Sequence, residues 1–374
     1  MNRVPVTAVI PNYNGKECIF DCLDSILAGT LVPEIIVVDN GSSDGSPEAV
    51  REKYPQVRVI GLRTNTGFCH AVNTGIHAAR TEYVFLLNND TVAEKDCVEK
   101  LLEEISTRDR LFSVQAMMLA MQKDAQGMHV VDDAGDHLDI TGAALAAGKG
   151  YPMSALKKSI PVFSSCAGAA IYRMRCFEEI GLFDERHFCY LEDVDIGWRA
   201  QIFGYRSRCR TDAVVYHKGS AASGSRYNVF KQELAAANNY YIQYKNMPRL
   251  QYILNYPAMA LGRAAKRRYF AQKGLEEAYN KGLSRGRLLV EAAKVQLLQE
   301  RYEQPSGKTD LVSEAMLAGR EELVSREAAD RLRCFNPLYR GTKVPFIPGN
   351  IPNYIRIQLM MVRGTLMRLK KGRI

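Results

Sequence analysis

The 374-residue chain has no cysteines in Cys-x-x-Cys spacing and no apolar run approaching the roughly 18 residues of a membrane span. Its nine cysteines, at 18, 22, 69, 97, 166, 176, 189, 209 and 334, are odd in number and scattered. That pattern argues against a disulfide framework or a thiolate zinc centre and predicts packed, reduced thiols. Met1-Asn2-Arg3 leads directly into the apolar run Val6–Ile10 without a leader-like layout, so the chain is expected to be cytoplasmic. No helix-turn-helix, zinc-finger or RNP signature accompanies the net charge of +9, so nucleic acid is not an expected partner.

A composition of 47% hydrophobic and 24% charged residues suffices for an ordinary core, with one large domain and a smaller appendage expected. The charge is segregated. Residues 245–374 hold 25 Lys and Arg against 11 Asp and Glu, a balance of +14, which leaves −5 for residues 1–244.

The first hundred residues alternate short β-rich runs with helical spacing, the order of a parallel sheet with crossover helices. Strands are predicted at Thr7–Pro11, Glu34–Asp39, Val57–Leu62 and Tyr83–Leu87, each running into a polar loop or turn. The run Val84-Phe85-Leu86-Leu87 stops at Asn88-Asn89-Asp90-Thr91, a buried strand delivering a carboxylate to the edge where open α/β sheets bind ligands. Residues 127–160 loosen into an irregular insertion of the kind that covers sites. Its Gly148-Lys149-Gly150 stretch has the wrong spacing for a phosphate loop. One strand is expected over Pro161–Tyr172 and a short helix over Arg175–Ile180. From Ala235 the pattern is helical, with breaks expected at Pro248, Pro257 and Pro305-Ser306-Gly307. Residues 355–374 read as a basic amphipathic helix, able to lie on an anionic membrane surface.

Three acidic features mark predicted strand ends or helix starts: Asp39, Asp90 and Glu192-Asp193-x-Asp195. Such carboxylates can accept from a base or ribose, bind a divalent cation on a diphosphate, and take a proton from an attacking hydroxyl. Each also has a plainer use: Asp39 as a turn former, Asp90 as the N-cap of a helix near Ala93, the acidic cluster as macrodipole decoration, and His217 as a structural histidine.

Together, the motifs over residues 4–245 resemble glycosyltransferase family 2, with its GT-A fold, and within it the rhamnosyltransferase-like branch. The resemblance rests on Val9–Gly15, Val37–Ser46, Asn65-Thr66-Gly67-Phe68, Asn73-Thr74-Gly75, Leu86–Thr91, Gly181–Glu185, Leu191–Asp195 and Val214–Ser220 in order. It implies a Rossmann-like, mostly parallel sheet flanked by helices, with residues 1–110 as a nucleotide-binding half and 111–244 as a catalytic and acceptor half. A basic helical region over 245–374 would be appended.

By that resemblance Asp39 contacts a pyrimidine base, Pro11, Asn12, Asn14 and Asn89 line the nucleotide pocket, and Asn65 and Gly67 lie near ribose or diphosphate. Asp90 is then the metal-binding acid, with His217 a further ligand of Mg²⁺ or Mn²⁺. Asp193 is the general base, with Glu192 adjusting it. The implied donor is a dTDP- or UDP-sugar, and the acceptor a saccharide or lipid-linked saccharide. Asn88 stands where the usual Asp-x-Asp motif has its first acid, so the site offers one carboxylate fewer. A nucleotide-sugar-binding protein without catalysis is the alternative that this departure leaves open.

Overall fold

A computed structural model describes residues 4–156, 158–219, 228–302, 344 and 346–370. The predicted strands form β1 (Val6–Asn12), β2 (Glu34–Asp39), β3 (Arg58–Gly61) and β4 (Tyr83–Leu87), with α1 (Ile19–Leu27), α2 (Ser46–Lys53) and α3 (Phe68–Ala78) between them. After the short β5 (Thr91–Ala93) come α4 (Cys97–Ser106) and β6 (Leu111–Ala120). The sheet continues with β7 (Val131–Asp133), β10 (Ser159–Val162), β11 (Ala169–Arg173) and β12 (Arg206–His217) in the order β10-β12-β6-β11-β4-β1-β2-β3, with β5 on β12 and β7 on β6.

Strands β3, β2, β1 and β4 are mutually parallel, β11 runs antiparallel between β4 and β6, and β12 is parallel to β6. Six of the eight strands on that path therefore share one direction, and their carboxyl ends form one edge. Alternation along the strands fills two core layers: Ala8, Ile10, Phe85 and Leu87 pack on the α1 and α4 side, whereas Val9, Val84 and Leu86 pack on the α3 side. Both faces are covered by helices, as a mostly parallel sheet requires.

The structure corrects several boundaries. The single strand expected over Pro161–Tyr172 is two strands, β10 and β11. β10 is at the end of the sheet path, where a proline without an N–H is tolerated. Asp90 is no helix cap, because Thr91–Ala93 pairs with β12 and α4 starts at Cys97. The insertion contains β7 and a hairpin of β8 (Asp136–Leu138) and β9 (Ala144–Ala146).

Beyond α5 (Met174–Ile180) and α6 (Glu192–Ile202), helix α7 (Val229–Asn246) begins earlier than Ala235 because the Asn228 side chain accepts from Lys231 N at 2.8 Å. Pro248 does separate α7 from α8 (Arg249–Ala271), but Pro257 lies inside α8. It sits on the solvent face, where water can reach the Ile253 carbonyl left without a helical donor. Helix α9 (Glu276–Tyr302) follows, and the Pro305-Ser306-Gly307 break and residues 371–374 lie outside the described residues.

Position 245 falls in the last turn of α7, not at a boundary between folded units. The C-terminal helix, Ile351–Lys370, packs Ile357 and Met361 against Val194, Trp198 and Ile202 of α6. The basic region is thereby anchored on the helix that opens with Glu192 and Asp193.

Candidate active site

The sheet register builds the site. Asn12 and Asp39 end β1 and β2 as direct partners, so the Asn12 amide donates to Asp39 Oδ1 at 3.2 Å and to Ser46 Oγ at 2.8 Å. The Asn89 amide donates to Asn12 Oδ1 at 2.8 Å. Gly15 permits that approach, since a Cβ there would lie 2.0 Å from Asn89 Nδ2. Asn14, at φ 48°, exchanges hydrogen bonds with the β2 loop: its N–H donates to Ser42 Oγ and its Oδ1 accepts from Ser43 N, both at 2.9 Å. Pro11 lies one residue before Asn12, opposite Val38.

Asn65 and Gly67 form a second group. Asn65 Oδ1 accepts from Gly67 N and from Asn40 Nδ2, each at 3.0 Å, while Asn40 also donates to the Gly67 carbonyl and accepts from Thr66 N. Asn40 is therefore the buried clamp of this loop, a positioning role that no charge or spacing signal advertises. At Gly67 (φ 90°) a Cβ would collide with Phe188.

β5 pairs Thr91 with His217, which brings Asp90 beside the end of β12. His217 Nε2 is 3.5 Å from Asp90 Oδ1, and its Nδ1 is 2.8 Å from Asp132 Oδ2. Lys149 Nζ meets the other Asp132 oxygen at 2.6 Å. Burial opposes the charge on His217, but Asp132 and Asp90 outweigh it and lift its pKa to about 9. The hydrogen bond from His217 holds Asp132 well below the usual carboxylate range, aided by Lys149. Asp132 and Lys149 are functional candidates that the sequence reading missed. They come from the irregular insertion, and Lys149 from the very glycine stretch that failed as a phosphate loop.

Among the described residues no cluster of three candidate metal ligands is assembled. The donor set nevertheless fits a cation completed by diphosphate oxygens: the Asp90 carboxylate, and the His217 imidazole, which would give up its Nε2 proton to a cation while Nδ1 stays on Asp132.

The fourth group opens α6. Asp193 is partly buried, accepts from Val194 N at 2.8 Å, and has its pKa raised to about 6 by desolvation, with the charge of Asp133 adding to the rise. Burial and then Asp193 push Glu192 well above the carboxylate range, and its Oε2 has no hydrogen-bond partner among the described residues. Asp133 is held by Gln115 Nε2 at 2.8 Å and Gly135 N at 2.7 Å, so consecutive residues of β7 serve both His217 and Asp193.

The approach to Asp193 is conformationally tense: Phe188, Tyr190 and Leu191 all have positive φ. Asn238 of α7 restrains the segment by donating to the carbonyls of His187, Cys189 and Tyr190 at 2.8–3.0 Å. Below it, Asp195 binds Arg199 at 2.8 Å and Lys245 at 2.9 Å, and Lys245 also binds Asp184 at 2.7 Å, all buried. Burial alone would raise both acids, but the cations hold Asp195 far down and Asp184 at about 2. Asp195 is therefore structural. Trp198 and Arg199 brace α6 as expected, Trp198 edge-on to Phe163 at 5.7 Å.

The profile described as "Glycosyl transferase family 2" matches residues 7–181, the region that contains the Asn12–Asp39 and Asp90 groups. Over that region the chain belongs to glycosyltransferase family 2. The family assignment, and its rhamnosyltransferase-like character, agree with 27% identity over 241 residues to an N-acetylglucosaminyl-diphospho-decaprenol L-rhamnosyltransferase of Mycobacterium tuberculosis, covering 59% of this chain and 78% of that enzyme. A poly-beta-1,6-N-acetyl-D-glucosamine synthase of Staphylococcus epidermidis is 24% identical over 222 residues, 56% of this chain and about half (49%) of its own length. In structure, GalNAc-T7 with UDP, GalNAc and Mn²⁺ aligns at TM-score 0.51 and 16% identity over 64% of this chain and 48% of that one. The family member described here is thus a glycosyltransferase with a GT-A fold and appended C-terminal helices.

Proposed function

We propose that the protein is an inverting, cation-dependent glycosyltransferase that moves a sugar from a nucleoside-diphosphate donor to a saccharide, lipid-linked or part of a growing cell-surface polysaccharide. Rhamnose from dTDP-rhamnose is the favoured donor, and UDP-sugars come next. The mycobacterial relative supports rhamnose, and its name supports a prenyl-diphosphate acceptor. The protein would act in the cytoplasm, on the inner face of the membrane.

The observation that carries the reading is one sheet edge holding the Asn12–Asp39 pocket and the Asp90–His217 corner, faced by a carboxylate, Asp193, with a raised pKa. Asp39, with Pro11, Asn12, Asn14 and Asn89, would bind the nucleoside, and Asn65 and Gly67 the ribose or diphosphate. Asp90 and His217 would hold Mg²⁺ or Mn²⁺, which when bound neutralises charge on the departing diphosphate. Asp193 takes the proton of the acceptor hydroxyl as its oxygen attacks the anomeric carbon opposite the leaving group. Configuration then inverts. A base titrating near 6 is ionised at neutral pH yet basic enough to accept a proton late in the step. Glu192, its carboxyl pushed up by burial and by Asp193, stands beside it and would adjust its basicity.

A thermal-shift panel of dTDP-, UDP- and GDP-sugars with Mn²⁺ tests the donor assignment. Ligand at a hundredfold excess over Kd stabilises by about 2.7 kcal/mol. No shift with any member would count against the whole reading.

A further inference from the structure

Two helices outside the site turn apolar faces to solvent. In α8, Leu250, Ile253, Leu254 and Leu261 recur at helical spacing, with Leu254 66% and Leu261 73% exposed. In the C-terminal helix the same holds for Ile355, Leu359, Leu366 and Leu369, with Leu359 64% and Leu369 61% exposed. The helices meet at one place, where Gln358 accepts from both Gln251 and Asn255 at 2.9 Å. Each also buries its opposite face, Met259 in α8 and Ile357 and Met361 in the C-terminal helix. The exposed leucines are thus held on a rigid base rather than on a fraying tail.

The chemistry around the leucines identifies the occupant. Neither helix contains a single Asp or Glu. Arg268 in α8, and Arg363 and Lys370 in the C-terminal helix, are exposed beside the apolar runs. A second copy of the same cationic face would be repelled, whereas an anionic lipid surface accepts leucine into its acyl boundary and arginine among its headgroups. No described helix is long and apolar enough to cross a membrane, so such a face would lie on the bilayer.

We propose that α8 and the C-terminal helix together form a two-helix face that docks the enzyme on anionic lipid. This deepens the assignment of a lipid-linked acceptor and rests on it for its purpose. It gives α8, absent from any sequence-level expectation of membrane contact, an equal share with residues 355–370. Because the C-terminal helix also packs on α6, docking would set the orientation of Asp193 toward the lipid surface.

The test is co-sedimentation of the full chain with vesicles of phosphatidylcholine alone or with one third phosphatidylglycerol. The wild type is expected to pellet with the anionic vesicles, weakly with neutral ones, and less as salt is raised. Leu254→Glu/Leu261→Glu and Leu359→Glu/Leu366→Glu should each weaken binding by more than about tenfold, since each double change removes many buried methylenes and adds two repelled charges. Circular dichroism melts and nucleotide binding, expected unchanged, guard against misfolding. Failure of wild type to bind, equal binding by the α8 variant, or self-association abolished by these variants without vesicle binding would overturn the proposal. Nucleotide binding reports separately on the glycosyltransferase reading, so either can fail alone.

Discussion

Asp193→Asn should make the protein more stable and nearly inactive, and the size of both effects follows from one group. Its carboxyl titrates near 6 in the folded chain against an ordinary 3.8. A raised carboxylate pKa means that folding disfavours the charge: nothing is lost below about pH 3, where both states are protonated, and the full penalty is present above about pH 7. The gap corresponds to ~3 kcal/mol, an upper bound because the side chain is partly exposed. Asparagine keeps the acceptor oxygen for Val194 N and removes the charge facing Asp133. The variant should therefore melt several degrees higher at pH 8, with about half that gain at pH 5 and almost none near pH 3. Transfer should fall by about 10²–10⁴ while nucleotide binding persists. Wild-type kcat/KM should rise with pH through about 6 and then level off. Differential scanning fluorimetry across pH, beside a transfer assay, reads all of this. A gain that is absent at pH 8, or equal at every pH, would refute the electrostatic reasoning.

Asp132→Asn should weaken Mn²⁺ binding about 10–100-fold, measured by electron paramagnetic resonance of free Mn²⁺, because His217 loses the carboxylate that holds Nδ1 and aims Nε2 at Asp90. Unchanged Mn²⁺ affinity would remove Asp132 from that positioning role. Lys245→Met leaves Asp184 and Asp195 facing each other with one cation fewer, and should destabilise by about 3–5 kcal/mol in urea titrations. A loss below 1 kcal/mol would mean that water or Arg199 replaces it. Asn238→Ala frees three carbonyls of the tense segment before Asp193 and should lower kcat more than it raises donor KM. An effect on donor KM alone would assign Asn238 to substrate binding instead.

The parallel half of the fold was legible because its strands are buried on both faces and stop at abrupt polar loops, as Val84–Leu87 does at Asn88. The Asn12, Asp39, Asp90 and His217 groups were legible through motif order. What local pattern could not reveal depends on long-range pairing. Asp132 reaches His217, and Lys149 reaches Asp132, because β7 returns antiparallel onto the end of β6, a contact with no periodic signature in a loose, glycine-rich insertion. Asn40 and Asn238 are neutral amides whose importance lies in the backbone groups they satisfy. Pro257 was misread as a break because the expectation ignored which face of the helix it occupies. Lys245, counted with the basic tail, is instead a buried counter-ion whose partners lie 50 and 61 residues away.

Sugar transfer at the Asp90–His217 and Asp193 edge is the activity on which every other assignment depends. Its most direct test incubates the purified chain with dTDP-rhamnose or a UDP-sugar and a prenyl-diphosphate saccharide, with Mn²⁺ and then with chelator, and determines the anomeric configuration of the product by nuclear magnetic resonance. A glycosylated product of inverted configuration is expected, forming with the cation and stopping without it. Nucleotide binding with no product from any donor would contradict it and leave a binding protein of the same fold.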